Sequence, residues 1–115
     1  MNMSCLFCKI VKQEIPADIV YESDTVLAFR DIDPKAPTHV LIIPKIHIQD
    51  VMDISQNQLS VMTDITVAIQ QIVTDLNLES DGFRVVNNTG EGGGQTVFHI
   101  HFHLLGGRTL NWPPG

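Results

Sequence analysis

Apolar residues in this chain follow two different periods. Between residues 55 and 77, Leu59, Met62, Ile65, Ile69, Ile72, Val73 and Leu76 recur every three or four positions, which predicts one long amphipathic helix packed on a core. Ser55 followed by Gln58 resembles a capping box at its start, and Asn77 with Gly82 beyond it suits its end. Elsewhere the pattern alternates or runs continuously. It predicts strands over 18–22 and Thr25–Arg30, joined as a hairpin by the polar turn Glu22-Ser23-Asp24. A buried strand is expected over 38–43, with Pro34 and Pro37 in the loop before it and Pro44 closing it. A fourth strand, Phe83 to Asn88, leads through the glycine-rich loop Thr89–Gln95 to a last strand. A short helix over residues 4–12, with Ser4 as N-cap, precedes all of these. The order favours an α+β fold: an antiparallel sheet of about five strands, with one long and one short helix on one face. No repeat or linker divides the chain, so residues 1–115 are expected to form a single domain.

The last strand carries an unusual pattern, with His99, His101 and His103 alternating with Ile100, Phe102 and Leu104. Alternation sends the apolar set to one face and the three imidazoles to the other, with neighbouring imidazoles about 7 Å apart. Imidazole can act as base, nucleophile or metal ligand near neutral pH. Spacing alone leaves metal binding and acid/base or nucleophilic work equally open.

Composition narrows the choice. The formal charge of −6 and the lack of any basic stripe argue against nucleic acid as a partner. No apolar run approaches the roughly 20 residues that cross a bilayer, and the opening MNMSCLFCKIVKQEIP does not resemble a signal peptide, so no membrane partner and a cytoplasmic location are expected. Cys5 and Cys8 then call for a metal or redox explanation rather than a structural disulfide. One such pair supplies half of a tetrahedral zinc site, and His39, His47 or the histidine row would have to supply nitrogen ligands. Packing as small apolar thiols is the alternative.

Two further features could bind a nucleotide. Gly90, Gly92, Gly93 and Gly94 would let backbone N–H groups approach a phosphate, although no Gly-Lys-Ser/Thr makes the loop a Walker motif. Asp31, beside Phe29 and Ile32, could accept two ribose hydroxyls while the apolar neighbours hold a base. A turn-forming Asp ahead of Pro34 is the simpler reading of Asp31 alone.

Taken together, these residues resemble a known family. His99-Ile-His-Phe-His-Leu-Leu105 matches the histidine-triad signature, in which histidines alternate with apolar residues. Gly93-Gly-Gln-Thr-Val-Phe-His99, Leu104-Leu-Gly-Gly-Arg108 and the tail Trp112-Pro-Pro-Gly115 are similar to the Hint branch of the histidine triad (HIT) superfamily. Asp31-Ile-Asp-Pro-Lys-Ala-Pro-Thr-His39 and Ile43-Pro-Lys-Ile-His47 match its N-terminal half, so the resemblance covers nearly the whole chain. It implies a purine nucleoside phosphoramidase-like hydrolase that cleaves the P–N bond of nucleoside 5′-phosphoramidates, or acts on aminoacyl adenylates, through a nucleotidyl-histidine.

By the same resemblance His101 is the nucleophile, and His39 and His103 serve the phosphate oxygens. Asn88 and the backbone around Gln95 and Thr96 complete that cradle, with Thr96 standing near the leaving group where the branch commonly has Ser. Asp31 takes the ribose, and Leu6, Phe7, Ile10, Phe29 and Ile32 form the base pocket. Prokaryotic relatives with the Cys-x-x-Cys pair join it to two histidines around zinc. Here that implies Cys5, Cys8, His47 and His99 around one structural ion per chain, with no cofactor needed for catalysis. The resemblance also implies a homodimer whose sheets join side by side into a larger continuous sheet, and a purine nucleotide as the small-molecule partner. A dinucleoside polyphosphate hydrolase, or a nucleotide-binding partner protein with incidental hydrolysis, are the alternatives.

Overall fold

A computed structural model describes residues 4–115. Helix α1 (Leu6–Val11) is followed by strands β1 (Ile19–Glu22), β2 (Val26–Arg30) and β3 (Thr38–Pro44), helix α2 (Ser60–Asp75), and strands β4 (Phe83–Asn87) and β5 (Phe102–Gly106). The strands form one antiparallel sheet in the order β1-β2-β3-β5-β4. Strands β3 and β5 thus lie side by side at its centre, with His39 opposite Leu105 and Leu41 opposite His103. Among the described residues no helix is long and apolar enough to cross a membrane.

The expected elements are present, but their ends differ in instructive ways: the last strand begins only at Phe102, so of the three histidines only His103 lies on it, and His99 and His101 stand in the irregular lead-in. The Ser55–Gln58 pair does form, Gln58 Oε1 accepting from Ser55 N at 3.2 Å, yet it closes a 3-10 turn over Gln56–Gln58. The α-helix starts only at Ser60, which leaves Leu59 out of phase with the stripe and exposed. The C-terminal end follows the expected logic: Asn77 adopts a φ of 57°, and Leu78 N and Asn77 N bond the carbonyls of Val73 and Thr74. Helix α1 ends in the same way at Gln13, φ 65°. Its N-cap is Cys5 rather than Ser4, with the Cys5 sulfur accepting from Cys8 N at 3.3 Å.

The expectation that both helices cover one face is not met. Val26, Ala28, Val40, Ile42 and Leu104 pack on one face of the sheet against Ile65, Ala68 and Ile72 of α2. Leu27, Phe29, Leu41 and Ile43 point the other way, onto Cys5, Phe7, Cys8 and Ile10 of α1 and its cap. Every central position is therefore buried, which explains why 38–43 reads as continuous rather than alternating. The second face is also the histidine face, so the imidazoles enter a small core instead of lining an open surface. His99 has no exposed area, and His39 and His101 are each 5% exposed.

Candidate active site and metal cluster

The histidine row divides into two sites. At the near end, the four ligand atoms of Cys5, Cys8, His47 and His99 lie within 4.8 Å of one another. Cys5 Sγ stands 3.4 Å from His99 Nδ1, and Cys8 Sγ stands 3.3 Å from His47 Nδ1 and 3.6 Å from His99 Nδ1. A tetrahedral ion with Zn–S near 2.3 Å and Zn–N near 2.05 Å would separate sulfur from nitrogen by about 3.6 Å, so the donor set fits such an ion. The other nitrogen of His99 donates to the Pro44 carbonyl at 2.9 Å, which directs Nδ1 at the thiols. Burial first, and then the hydrogen bond and charge of Cys5, raise the Cys8 thiol to about 11. Burial lowers His99 to about 4, so its imidazole is neutral, the form that ligates.

At the far end His39, His101 and His103 form a chain of defined tautomers. Lys35 N donates to His39 Nδ1 at 3.0 Å, so the neutral His39 ring carries its proton on Nε2. That Nε2 lies 2.9 Å from His103 Nδ1 and 3.5 Å from Asp31 Oδ2. It donates to His103, which leaves His103 with its own proton on Nε2. His101 Nδ1 lies 2.9 Å from the His99 carbonyl and must donate to it, so His101 Nε2 bears a free lone pair. Burial is the leading cause that lowers all three pKa values, to about 4 for His103. Asp31, His39 and His103 also lie close enough to suggest a metal trio. A shared ion would hold the two imidazole nitrogens about 3.3 Å apart, so 2.9 Å indicates a hydrogen bond instead.

A cavity of about 540 Å³ opens beside this chain. Of the residues named from sequence, Leu6, Phe7, Ile10, Phe29, Asp31, Ile32, Thr96, His101 and His103 line it. His39 does not; it sits behind His103. Asp31 serves the turn as well, its Oδ1 accepting from Asp33 N at 2.8 Å. The turn reading of that residue therefore holds, and its side chain also borders the cavity. The Gln95 side chain turns away, bonding Gln49 O, Val97 O and Gly90 N, and so braces the loop. Asn88 is likewise absent from the lining and lies over Gly94. Within the loop, Gly93 N, Gly94 N and Gln95 N bond the carbonyls of Gly90, Glu91 and Gly90, so these three amides are turned inward rather than toward a phosphate.

Sequence reasoning missed Ile15, Pro16, Ala17, Asp18, Arg30, Leu41 and Val97 in the wall. Leu41 and Val97 were findable, each lying two residues from a histidine of the same strand or its lead-in. Residues 15–18 lie in a connection without periodicity, and nothing local marks them.

A two-faced sheet thus presents an imidazole with a free Nε2 lone pair to a largely apolar cavity. The HIT domain model matches residues 12–110, and the chain belongs to that family. It is 49% identical over 110 residues to the purine nucleoside phosphoramidase of Escherichia coli K12, covering 96% of this chain and 92% of that protein. It is 47% identical over 112 residues to a 14 kDa zinc-binding protein of Zea mays, covering 96% and 87%. The crystal structure of a HIT family hydrolase from Legionella pneumophila superposes with a TM-score of 0.95 at 49% identity, covering 97% of this chain and all of that one. The chain is accordingly a hydrolase of the HIT family, of the type with the Cys-x-x-Cys pair.

Proposed function

We propose that this protein hydrolyses purine nucleoside 5′-phosphoramidates. The observation that carries this reading is the pair of opposed tautomers at one cavity wall: a lone pair on His101 Nε2 and a donor on His103 Nε2. His101 Nε2 attacks the α-phosphorus, the P–N bond breaks, and the nucleotidyl group passes to His101. Thr96 offers a hydroxyl donor to the departing amine, and His103 Nε2–H stabilises the phosphate oxygens. Water then cleaves the phosphorus–histidine bond, so one water is consumed and a nucleoside monophosphate and an amine are released. With an aminoacyl adenylate the same attack would break a P–O bond and release the aminoacyl carboxylate. In this scheme His39 positions His103 rather than touching phosphate. Asp31 Oδ2 faces the ribose, and Leu6, Phe7, Ile10, Phe29 and Ile32 enclose the base.

Cys5, Cys8, His47 and His99 would hold one zinc ion per chain. With four protein ligands and no open position its chemistry is structural. Strand β4 is a sheet edge whose Phe83 and Val85 are exposed, which supports the homodimer expected from the family.

Adenosine 5′-phosphoramidate and diadenosine tetraphosphate, offered separately, test the reading. The first should turn over and leave an acid-trapped nucleotidyl-protein that His101→Ala cannot form. Turnover of the second alone would favour the dinucleoside polyphosphate alternative, and nucleotide binding without turnover of either would leave only a binding protein.

A further inference from the structure

The cluster of thiols and the His101 ring are not independent, because one aromatic residue on α1 touches both His99 and His101. Phe7 lies between Cys5 and Cys8 in sequence and is 3% exposed. Its ring meets His101 edge-on at 5.1 Å with an interplanar angle of 89°, His99 at 5.8 Å, and Phe29 of β2 at 5.5 Å. Among the described residues the His101 ring has a single polar anchor, the Nδ1 bond to the His99 carbonyl. That bond and the covalent Cβ–Cγ link hold the ring only as long as the hydrogen bond lasts, and the direction of the Nε2 lone pair is what attack on phosphorus requires. Rotation about that link is limited by two neighbours, Phe7 on one side and the His103 ring at 5.1 Å on the other.

Phe7 can serve as a wall only if α1 stays in place, and a helix of six residues has no stability of its own. What docks α1 is its side chains: Phe7 and Ile10 in the apolar cluster, and Cys5 and Cys8 against His47 and His99. We propose that Phe7 is a positioning residue for catalysis, the part through which the Cys5–Cys8–His47–His99 cluster holds the His101 ring in its attacking orientation. Ion binding at the cluster then orders the nucleophile without touching substrate. This rests on the phosphoramidase reading above for its kinetic consequence, but not for its structural one.

The alternative role of Phe7 is purely to pad the base, and the two roles separate on a substrate that has no base. The Phe7→Leu protein, shown by elemental analysis to retain its metal, should lose about fivefold to tenfold in kcat on ribose 5′-phosphoramidate with little change in KM. Its His101 Nδ1–H should exchange with solvent faster by nitrogen-15 imidazole spectroscopy. An unchanged kcat on the ribose substrate, with the loss confined to KM for adenosine 5′-phosphoramidate, would overturn the proposal. Should Phe7→Leu fail to fold or lose its metal, the unaltered protein treated with a chelator gives the second reading. Faster exchange at His101 Nδ1–H supports the coupling, and unchanged exchange refutes it. If the unaltered protein turns over neither phosphoramidate, the function fails, while the exchange measurement still decides the role of Phe7.

Discussion

Activity should persist in acid well below the pH at which an ordinary imidazole is protonated. His103 is pushed down to about 4, first because burial disfavours the cation, then because His101 and His39 add repulsion; Asp31 opposes these in part. The hydrogen bonds act in the same direction. Proton uptake at His103 Nδ1 would set N–H against N–H across the 2.9 Å contact with His39, and uptake at His39 Nδ1 would break the bond from Lys35 N. An imidazole at its ordinary value of about 6.5 would be about 90% cationic at pH 5.5, whereas one near 4 is about 3% cationic. The neutral chain of tautomers is the active form, so activity should be kept as pH falls through 6.5 and lost only as it approaches the folded values. The assay is kcat/KM on adenosine 5′-phosphoramidate from pH 8 to 4.5, with uncatalysed hydrolysis subtracted, because kcat/KM reports the free enzyme. The acid limb of the profile should therefore lie below the ordinary imidazole value. A tenfold fall centred near pH 6.5 would refute the reasoning. The same shifts predict that stability declines from pH 6.5 toward 4, where the unfolded chain takes up protons that the native histidines refuse. His103 would contribute about 1–2 kcal/mol of that decline, after allowing for its partial exposure to solvent.

Other perturbations test other links. His101→Ala should lower turnover by at least about 10³, some 4 kcal/mol of barrier, while AMP binding by calorimetry stays near that of the unaltered protein; retention of most activity would remove His101 from the mechanism. Elemental analysis of the unaltered protein should give about one zinc per chain, and Cys5→Ala with Cys8→Ala should abolish it and lower the denaturation midpoint. Gly107 has a φ of +89°, and a Cβ there would stand 2.8 Å from Pro37 Cβ and 3.5 Å from Thr38 N. Gly107→Ala should therefore cost about 2–4 kcal/mol in urea unfolding from left-handed strain plus the rigid proline ring. Gly92→Ala, which meets nothing within 4 Å, should cost far less.

Much of this protein could be read from residues near one another in the chain. Helix α2 announced itself because a 3.6-residue period repeats over four turns, and its left-handed stop at Asn77 is a local device. The strand carrying Leu41 was equally legible, and so was the alternation over Phe102 to Leu104, where backbone pleat sets which face a side chain takes; His99 and His101 precede β5, so pleat does not place them. The residue types were legible too: two thiols, five histidines and an aspartate before a proline turn restrict the chemistry before any fold is known.

Where those residues meet was decided only by tertiary structure. Placing α1 on the sheet face opposite α2 depends on packing between segments about 90 residues apart in sequence, as in the Cys5–His99 contact. The separation of His99 from His101 is likewise non-local: one imidazole turns to thiols from α1 and the next to a cavity walled by β2, α1 and the connection between α1 and β1. The tautomers depend on a hydrogen bond from the Lys35 amide to His39 and one from His101 to the His99 carbonyl, and backbone partners of that kind leave no trace in residue identity. The glycine-rich loop shows the converse. Its composition suggested an anion cradle, but the amides of Gly93, Gly94 and Gln95 close on its own carbonyls, because a backbone donor takes the acceptor that three-dimensional geometry supplies.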